Sequence, residues 1–192
     1  SISEPARSFV TGVAVRSGLA EDVEEAGNPV RRLSLDEVVT PLRSLGFEPI
    51  VHLSARRLTS VEELDAYLGR ITSEAGVKRV FLIAGDPPEP EGPFADSLQV
   101  IESGLLEKHG ITIAGIGGHP EGHPNNSPEE LWDWMERKIV AIRNYAMTPL
   151  VVTQFAFDDD AIVQWLGEMR RRGIRISLPQ MLRRPRVALR RA

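Results

Sequence analysis

One βα unit is spelled out by Ile111-Thr112-Ile113-Ala114-Gly115-Ile116-Gly117-Gly118-His119-Pro120-Glu121-Gly122-His123-Pro124, with Ser127-Pro128-Glu129-Glu130 just beyond it. A short aliphatic run, 111–116, reads as a buried strand. The glycines, histidines and prolines after it form a loop. Ser127 then stands three residues before Glu130, the spacing of a capping box at a helix start. The same unit recurs on both sides. Aliphatic runs at Phe9–Val15, Glu48–Leu53, Arg79–Ala84, Leu150–Phe155 and Ile174–Leu178 read as further strands, and helical patterns fall at 35–45, 61–74, 95–108, 128–145 and 159–172. Ser34 with Glu37 and Ser60 with Glu63 repeat the capping-box spacing, and Gly46, Gly110 and Gly173 are placed to end helices in the left-handed conformation.

Strands that alternate with helices lie parallel in one sheet. The strand starts at 48, 79, 111, 150 and 174 are about 30 residues apart, which suits either an open doubly wound sheet or a (β/α)8 TIM-type barrel. Periodicity does not choose between the two. A whole barrel takes about 250 residues, whereas 192 residues with about six strands suggest that parts of a longer chain are missing. The stretches 16–33 and 179–192 fit the pattern least well, and 1–192 reads as a single domain.

Composition removes other classes. With 42% hydrophobic and 26% charged residues and no apolar run near the roughly 20 needed to span a bilayer, the chain reads as globular and not membrane-embedded. The absence of cysteine excludes disulfides, thiolate metal sites and cysteine nucleophiles. Ser1-Ile2-Ser3-Glu4-Pro5 lacks a secretory signature, so the expected compartment is the cytoplasm. Nine arginines and no acid lie in 170–192, which leaves 14 basic against 27 acidic residues in the rest. Without aromatic interleaving or a recognition motif this is not a nucleic-acid site, and Arg170, Arg171, Arg172 and Arg175 flank a helix end where cations suit the dipole.

In both parallel architectures ligands bind beyond the carboxyl ends of the strands. Those positions are polar here: His52-Leu53-Ser54-Ala55-Arg56-Arg57, Gly85-Asp86-Pro87-Pro88, Gly117 to Pro124, and Thr153-Gln154-Phe155. Three of the four histidines fall on this rim. A metal reading of His119 and His123 fails, because Pro120, Gly122 and Pro124 prevent the helix that would put both rings on one face. Gly115-Ile116-Gly117-Gly118 lacks the third glycine and the following helix of a dinucleotide fingerprint. Trp132, Trp134 and Trp165 read as core or interface, and Asp158-Asp159-Asp160 as a helix cap.

Taken together, His52-Leu53, Gly85-Asp86-Pro87-Pro88, His119-Pro120-Glu121-Gly122-His123-Pro124 and Thr153-Gln154-Phe155-Ala156-Phe157-Asp158 resemble the methylenetetrahydrofolate reductase family in order and spacing, from about 46 to 178. The resemblance implies a (β/α)8 barrel with FAD at its carboxyl rim, which takes hydride from NADH or NADPH and reduces methylenetetrahydrofolate to 5-methyltetrahydrofolate. It matches His52, Ile83, Ala84, Gly85, Asp86, Phe94, Ala95, His119, His123 and Lys138 to positions that line the cofactor. It matches Gln154 to a pterin contact. Asp86 would stabilise the cationic opened folate, and Asp86, Gln154 and Glu4 are the candidate catalytic residues. The family's general acid lies on the first strand, where this chain offers only Ser3 or Glu4. Two further departures touch the cofactor site: Ala84 replaces an arginine and His119 a tyrosine of many members. Ala84 together with the unassigned acid leaves open a flavin-free folate-binding relative, nicotinamide-dependent or methyl-transferring, and loss of the acid leaves open a non-catalytic subunit that keeps the barrel. The expected substrate is a reduced folate and the expected assembly a homo-oligomer.

Overall fold

The computed structural model describes residues 24–25, 28–29, 43–44, 48–154 and 156–175. The expected strand Phe9–Val15, Glu4, the first capping box at Ser34 and most of helix 35–45 lie outside these residues. So do 176–178, while Ile174 and Arg175 are not in a strand. Strands β1 (Glu24–Glu25) and β2 (Asn28–Pro29) form a two-residue antiparallel ladder. Among the described residues the main sheet has four strands, β3 (Val51–Ser54), β4 (Arg79–Ile83), β5 (Ile113–Gly118) and β6 (Thr148–Thr153). The helices are α1 (Val61–Ser73), α2 (Ser97–Glu102), α3 (Leu105–Lys108), α4 (Pro128–Asn144) and α5 (Asp159–Arg171).

Helix starts follow the sequence closely. At Ser127 the capping box is complete, its hydroxyl accepting from Glu130 N while the Glu130 carboxylate accepts from Ser127 N at 2.7 Å. At Ser60 the hydroxyl accepts from Glu63 N, but the Glu63 carboxylate reaches one residue further back, to the Thr59 amide and hydroxyl. The helix expected over 95–108 is two helices. Asp96 caps the first, and Gly104, left-handed at φ 73°, breaks the axis before Leu105. The helical apolar spacing of Leu98, Ile101 and Leu105 continues through this break, which hides it from periodicity.

Strand order settles the architecture. The sheet runs β3-β4-β5-β6, every neighbour parallel and adjacent in sequence, without the reversal that marks the switch point of a doubly wound sheet. Four consecutive βα units in this order are an arc of a (β/α)8 TIM-type barrel.

Register divides the strand residues into two faces, because side chains directly opposite one another share a side of the sheet. Val51, Val80, Ala114 and Pro149 form one row, and Leu53, Leu82, Ile116 and Val151 the next; all are buried beneath the helices. Leu64, Leu68 and Ile71 of α1 and Ile139 and Ile142 of α4 belong to the same core. Each such side chain contributes about 1.5–3 kcal/mol of burial. On the opposite, inner face His52, Phe81, Gly115 and Leu150 form a row. The His52 and Phe81 rings meet at 4.9 Å, and a Cβ on Gly115 would come within 2.7 Å of Phe81 Cδ2, so glycine makes room for that ring.

The helix ends are tied by the aromatic and charged groups that the sequence left without a ligand role. Trp132 of α4 stacks on Trp165 of α5 at 5.5 Å, and the Arg172 guanidinium lies over Trp132 at 5.0 Å while bonding Glu129, Glu136 and Glu168. The start of the arginine-rich tail thus closes α5. Among the described residues no helix is long and apolar enough to cross a membrane.

Candidate active site at the carboxyl rim

Of the described candidate residues, His52 lies within β3 and Lys138 on α4; the others lie on strand ends or on the loops beyond them, where the parallel sheet gathers them at one rim. After β3 the chain makes a single 3-10 turn, Ala55–Arg57, which ties the first loop to the second. Arg56 N donates to Ala84 O at 2.9 Å, its Nε to Ala95 O at 2.9 Å, and its Nη1 to Pro87 O at 3.1 Å.

Arg57 faces Asp86. Its Nε and Nη2 meet the two carboxylate oxygens at 3.2 and 2.8 Å, the parallel fork that makes arginine–carboxylate pairs geometrically specific. The Asp86 hydrogen bond raises Arg57 above its ordinary range. Asp86 is exposed, so the pair contributes orientation more than stability. Gly85 sits between this carboxylate and the strand at φ 101°, where a side chain would run into Ser54 Oγ. Ile83, on the inner face, is 39% exposed beside it.

Around β5 and α4 lies a second group. His119 follows β5 half-buried, its Nδ1 buried without a hydrogen-bond partner, and its pKa is pulled below 6.5 by desolvation, with His123 and Lys138 adding to the effect. No helix joins His119 to His123, as the prolines require. The rings nevertheless meet without one. A turn closed by Gly122 N to His119 O, with Gly122 at φ 85°, brings them edge to face at 5.3 Å. Among the described residues no third His, Asp or Glu joins them in a group that could hold a metal ion.

Lys138, on α4, is drawn below its ordinary range by burial and pushed back up by Asp96. It therefore stands within electrostatic reach of both His119 and the start of α2. Ala95 lies on that same start, its N donating to Gln99 Oε1 at 2.7 Å, whereas Phe94 is 4% exposed and packs in the core. His52 is half-buried and lowered by desolvation. Gln154 is exposed at the end of β6, where its N donates to Gly118 O at 3.0 Å.

The structure thus places Ile83, Ala84, Gly85, Asp86, Ala95, His119 and His123 at and beyond the ends of β4 and β5, with Gln154 on the adjoining strand, His52 one row below on the inner face and Lys138 on α4. Two residues without a role in the sequence reading join them, Arg56 and Arg57. Their signal was two consecutive arginines immediately after a strand.

These features define an α/β barrel protein whose parallel sheet gathers polar residues at its carboxyl rim. The family model for methylenetetrahydrofolate reductase matches residues 22–182, and the chain belongs to that family. It is 28% identical to methylenetetrahydrofolate reductase (NADH) 1 of Arabidopsis thaliana over 169 aligned residues, covering 78% of this chain and 27% of that protein. The Zea mays protein of the same name matches at 28% with the same coverage, and a probable methylenetetrahydrofolate reductase (NADH) of Oryza sativa at 26%. The chain spans about a quarter of the length of these relatives.

Proposed function

We propose that this chain carries the rim of a flavin-dependent reductase that converts 5,10-methylenetetrahydrofolate to 5-methyltetrahydrofolate with NADH. The observation that carries the reading is the family match over 22–182 together with one rim that presents Asp86, His119, His123 and Gln154 on adjoining strand ends. NADH is favoured over NADPH because the plant relatives are named for it.

The residues present suit FAD. His119 Nδ1 and Ser54 Oγ are buried polar atoms without partners, which cost free energy until a ligand hydroxyl or amide satisfies them. Lys138 is an ammonium held down by desolvation, a state that an anion such as a diphosphate relieves. His52, Ile83, Ala84, Gly85, Asp86, Phe94, Ala95, His119, His123 and Lys138 are the proposed cofactor contacts, with Phe94 acting from the core beneath Ala95. When bound, the flavin supplies a two-electron carrier between nicotinamide and folate.

The protein's own part is electrostatic and positional. Asp86 places a carboxylate where positive charge develops on the opened folate, and such preorganised charge acts most strongly on the transition state. Arg57 keeps that carboxylate aimed through two parallel hydrogen bonds. Gln154 offers an amide to the pterin, and Glu4 remains the proposed proton donor for ring opening. The flavin-free reading rests on Ala84 and on the unassigned acid; against the first, Arg57 delivers a guanidinium to the same loop from the neighbouring strand end.

The test is a visible spectrum of the purified protein, identification of the small molecule released on denaturation, and NADH-driven turnover of methylenetetrahydrofolate. Stoichiometric FAD with turnover is the expected result. A colourless protein that binds reduced folate overturns the flavin, and a protein that binds neither overturns the function.

A further inference from the structure

We propose that Glu121 is a positioning residue that locks the loop carrying His119 and His123 to the entry of α5 and so sets those histidines relative to Gln154; the functional half of this rests on the reductase reading. Glu121 Oε1 accepts from Phe157 N at 2.8 Å and from Asp158 N at 2.7 Å. Both donors precede α5 and lie outside its own hydrogen-bond ladder, since Asp158 is the N-cap and its side chain serves Asp160 N and Ala161 N. The carboxylate therefore bridges two separate segments 36 residues apart rather than completing a helix end.

The bridge extends the sheet beyond its last rung. Gln154 N donates to Gly118 O at 3.0 Å where β5 and β6 end. Three residues further along each chain, Glu121 stands opposite Phe157 and makes the next cross-link through a side chain. Between the two links on one side lies His119, whose buried Nδ1 has no partner to hold the ring, and on the other side begins the segment that follows Gln154. Gly122 N to His119 O closes the turn directly after Glu121, so the carboxylate anchors the turn that places both imidazoles.

Both hydrogen bonds end on one oxygen. A glutamine amide oxygen carries two lone pairs and can take both, whereas alanine takes neither. Charge is also dispensable at this helix entry, where Asp158, Asp159 and Asp160 already complement the dipole. The experiment compares Glu121→Ala with Glu121→Gln in the full chain, by amide hydrogen exchange at Phe157 and Asp158 and by steady-state kinetics with NADH and methylenetetrahydrofolate. Glu121→Ala is expected to speed exchange at both amides at least about tenfold and to lower kcat/KM for the folate by about 10- to 100-fold, the effect of a small misplacement. Glu121→Gln is expected to stay within about twofold of wild type in both readouts. Unchanged exchange in Glu121→Ala overturns the bridge. Faster exchange with unchanged folate kinetics, or failure of Glu121→Gln to rescue, overturns the positioning role. A wild-type chain that turns over no folate overturns the reductase reading instead, and the exchange comparison then decides the bridge alone.

Discussion

Gly118→Ala tests the packing that places the rim. A Cβ built on Gly118 would lie 2.8 Å from Trp165 Cη2, 2.9 Å from Trp165 Cζ2 and 2.9 Å from Val151 Cγ1. Carbon atoms settle at about 3.5–4.0 Å, so each contact is too short by roughly 0.6 Å or more. Neither neighbour can retreat easily: Val151 is a buried rung of β6, and Trp165 is already stacked on Trp132. Overpacking of this kind costs about 1–3 kcal/mol. For a chain of this length that corresponds to a fall in Tm of about 2–12 °C. Urea unfolding followed by tryptophan fluorescence should show a lower midpoint with an unchanged slope. Trp165→Phe removes both of the clashing indole atoms, so the double variant should lose less than the two single variants together, with a coupling of about 0.5–3 kcal/mol. Gly118→Ala within about 0.5 kcal/mol of wild type, or strict additivity with Trp165→Phe, would show that this glycine is not required by the indole.

On the proposed reductase reading, Asp86→Asn should depress folate reduction more than reduction of the flavin by NADH, because positive charge would develop only on the folate; stopped-flow measurement of the two half-reactions checks it, and equal losses count against the proposed role. On the same reading, Gln154→Ala should raise the folate KM while flavin content stays at the wild-type level, read from the absorbance ratio of the purified variant. Desolvation holds His52 and His119 below 6.5 in the folded protein. The unfolded chain therefore binds more protons as pH falls through about 6.5, and stability present above that pH is lost towards the lower folded values. Urea midpoints between pH 7 and pH 5 should fall, and His52→Gln with His119→Gln should flatten the slope.

Local chemistry was legible in the sequence, and long-range pairing was not. Ser60 and Ser127 announce their helices because capping is settled within four residues. Strand positions were found but offset: the aliphatic run begins at Ile111, which is buried yet precedes the ladder, and pairing continues through Gly117 and Gly118. Glycines carry no hydrophobic signal even where they pair. The break at Gly104 escaped for the opposite reason, since apolar spacing runs straight across it. Barrel and doubly wound sheet share the same alternation, and only the order β3-β4-β5-β6 separates them. The site residues were recognisable because they follow strand ends as recurring strings. The Arg57–Asp86 pair spans 29 residues and the Glu121 bridge 36, and such distances are joined only when strands align.

The fork between Arg57 and Asp86 also limits how this barrel can be recombined. Many members of the family carry an arginine where this chain has Ala84, within the same loop as the carboxylate. Here the guanidinium comes from the turn after the preceding strand. A chimera that receives only the segment 84–88 from a relative with arginine at position 84 would set two guanidinium groups around one carboxylate, and one that donates only this segment to a relative without an arginine at position 57 would leave the aspartate with none. The turn at Ala55–Arg57 and the loop at Asp86 are therefore a single heritable unit, to be exchanged together or not at all.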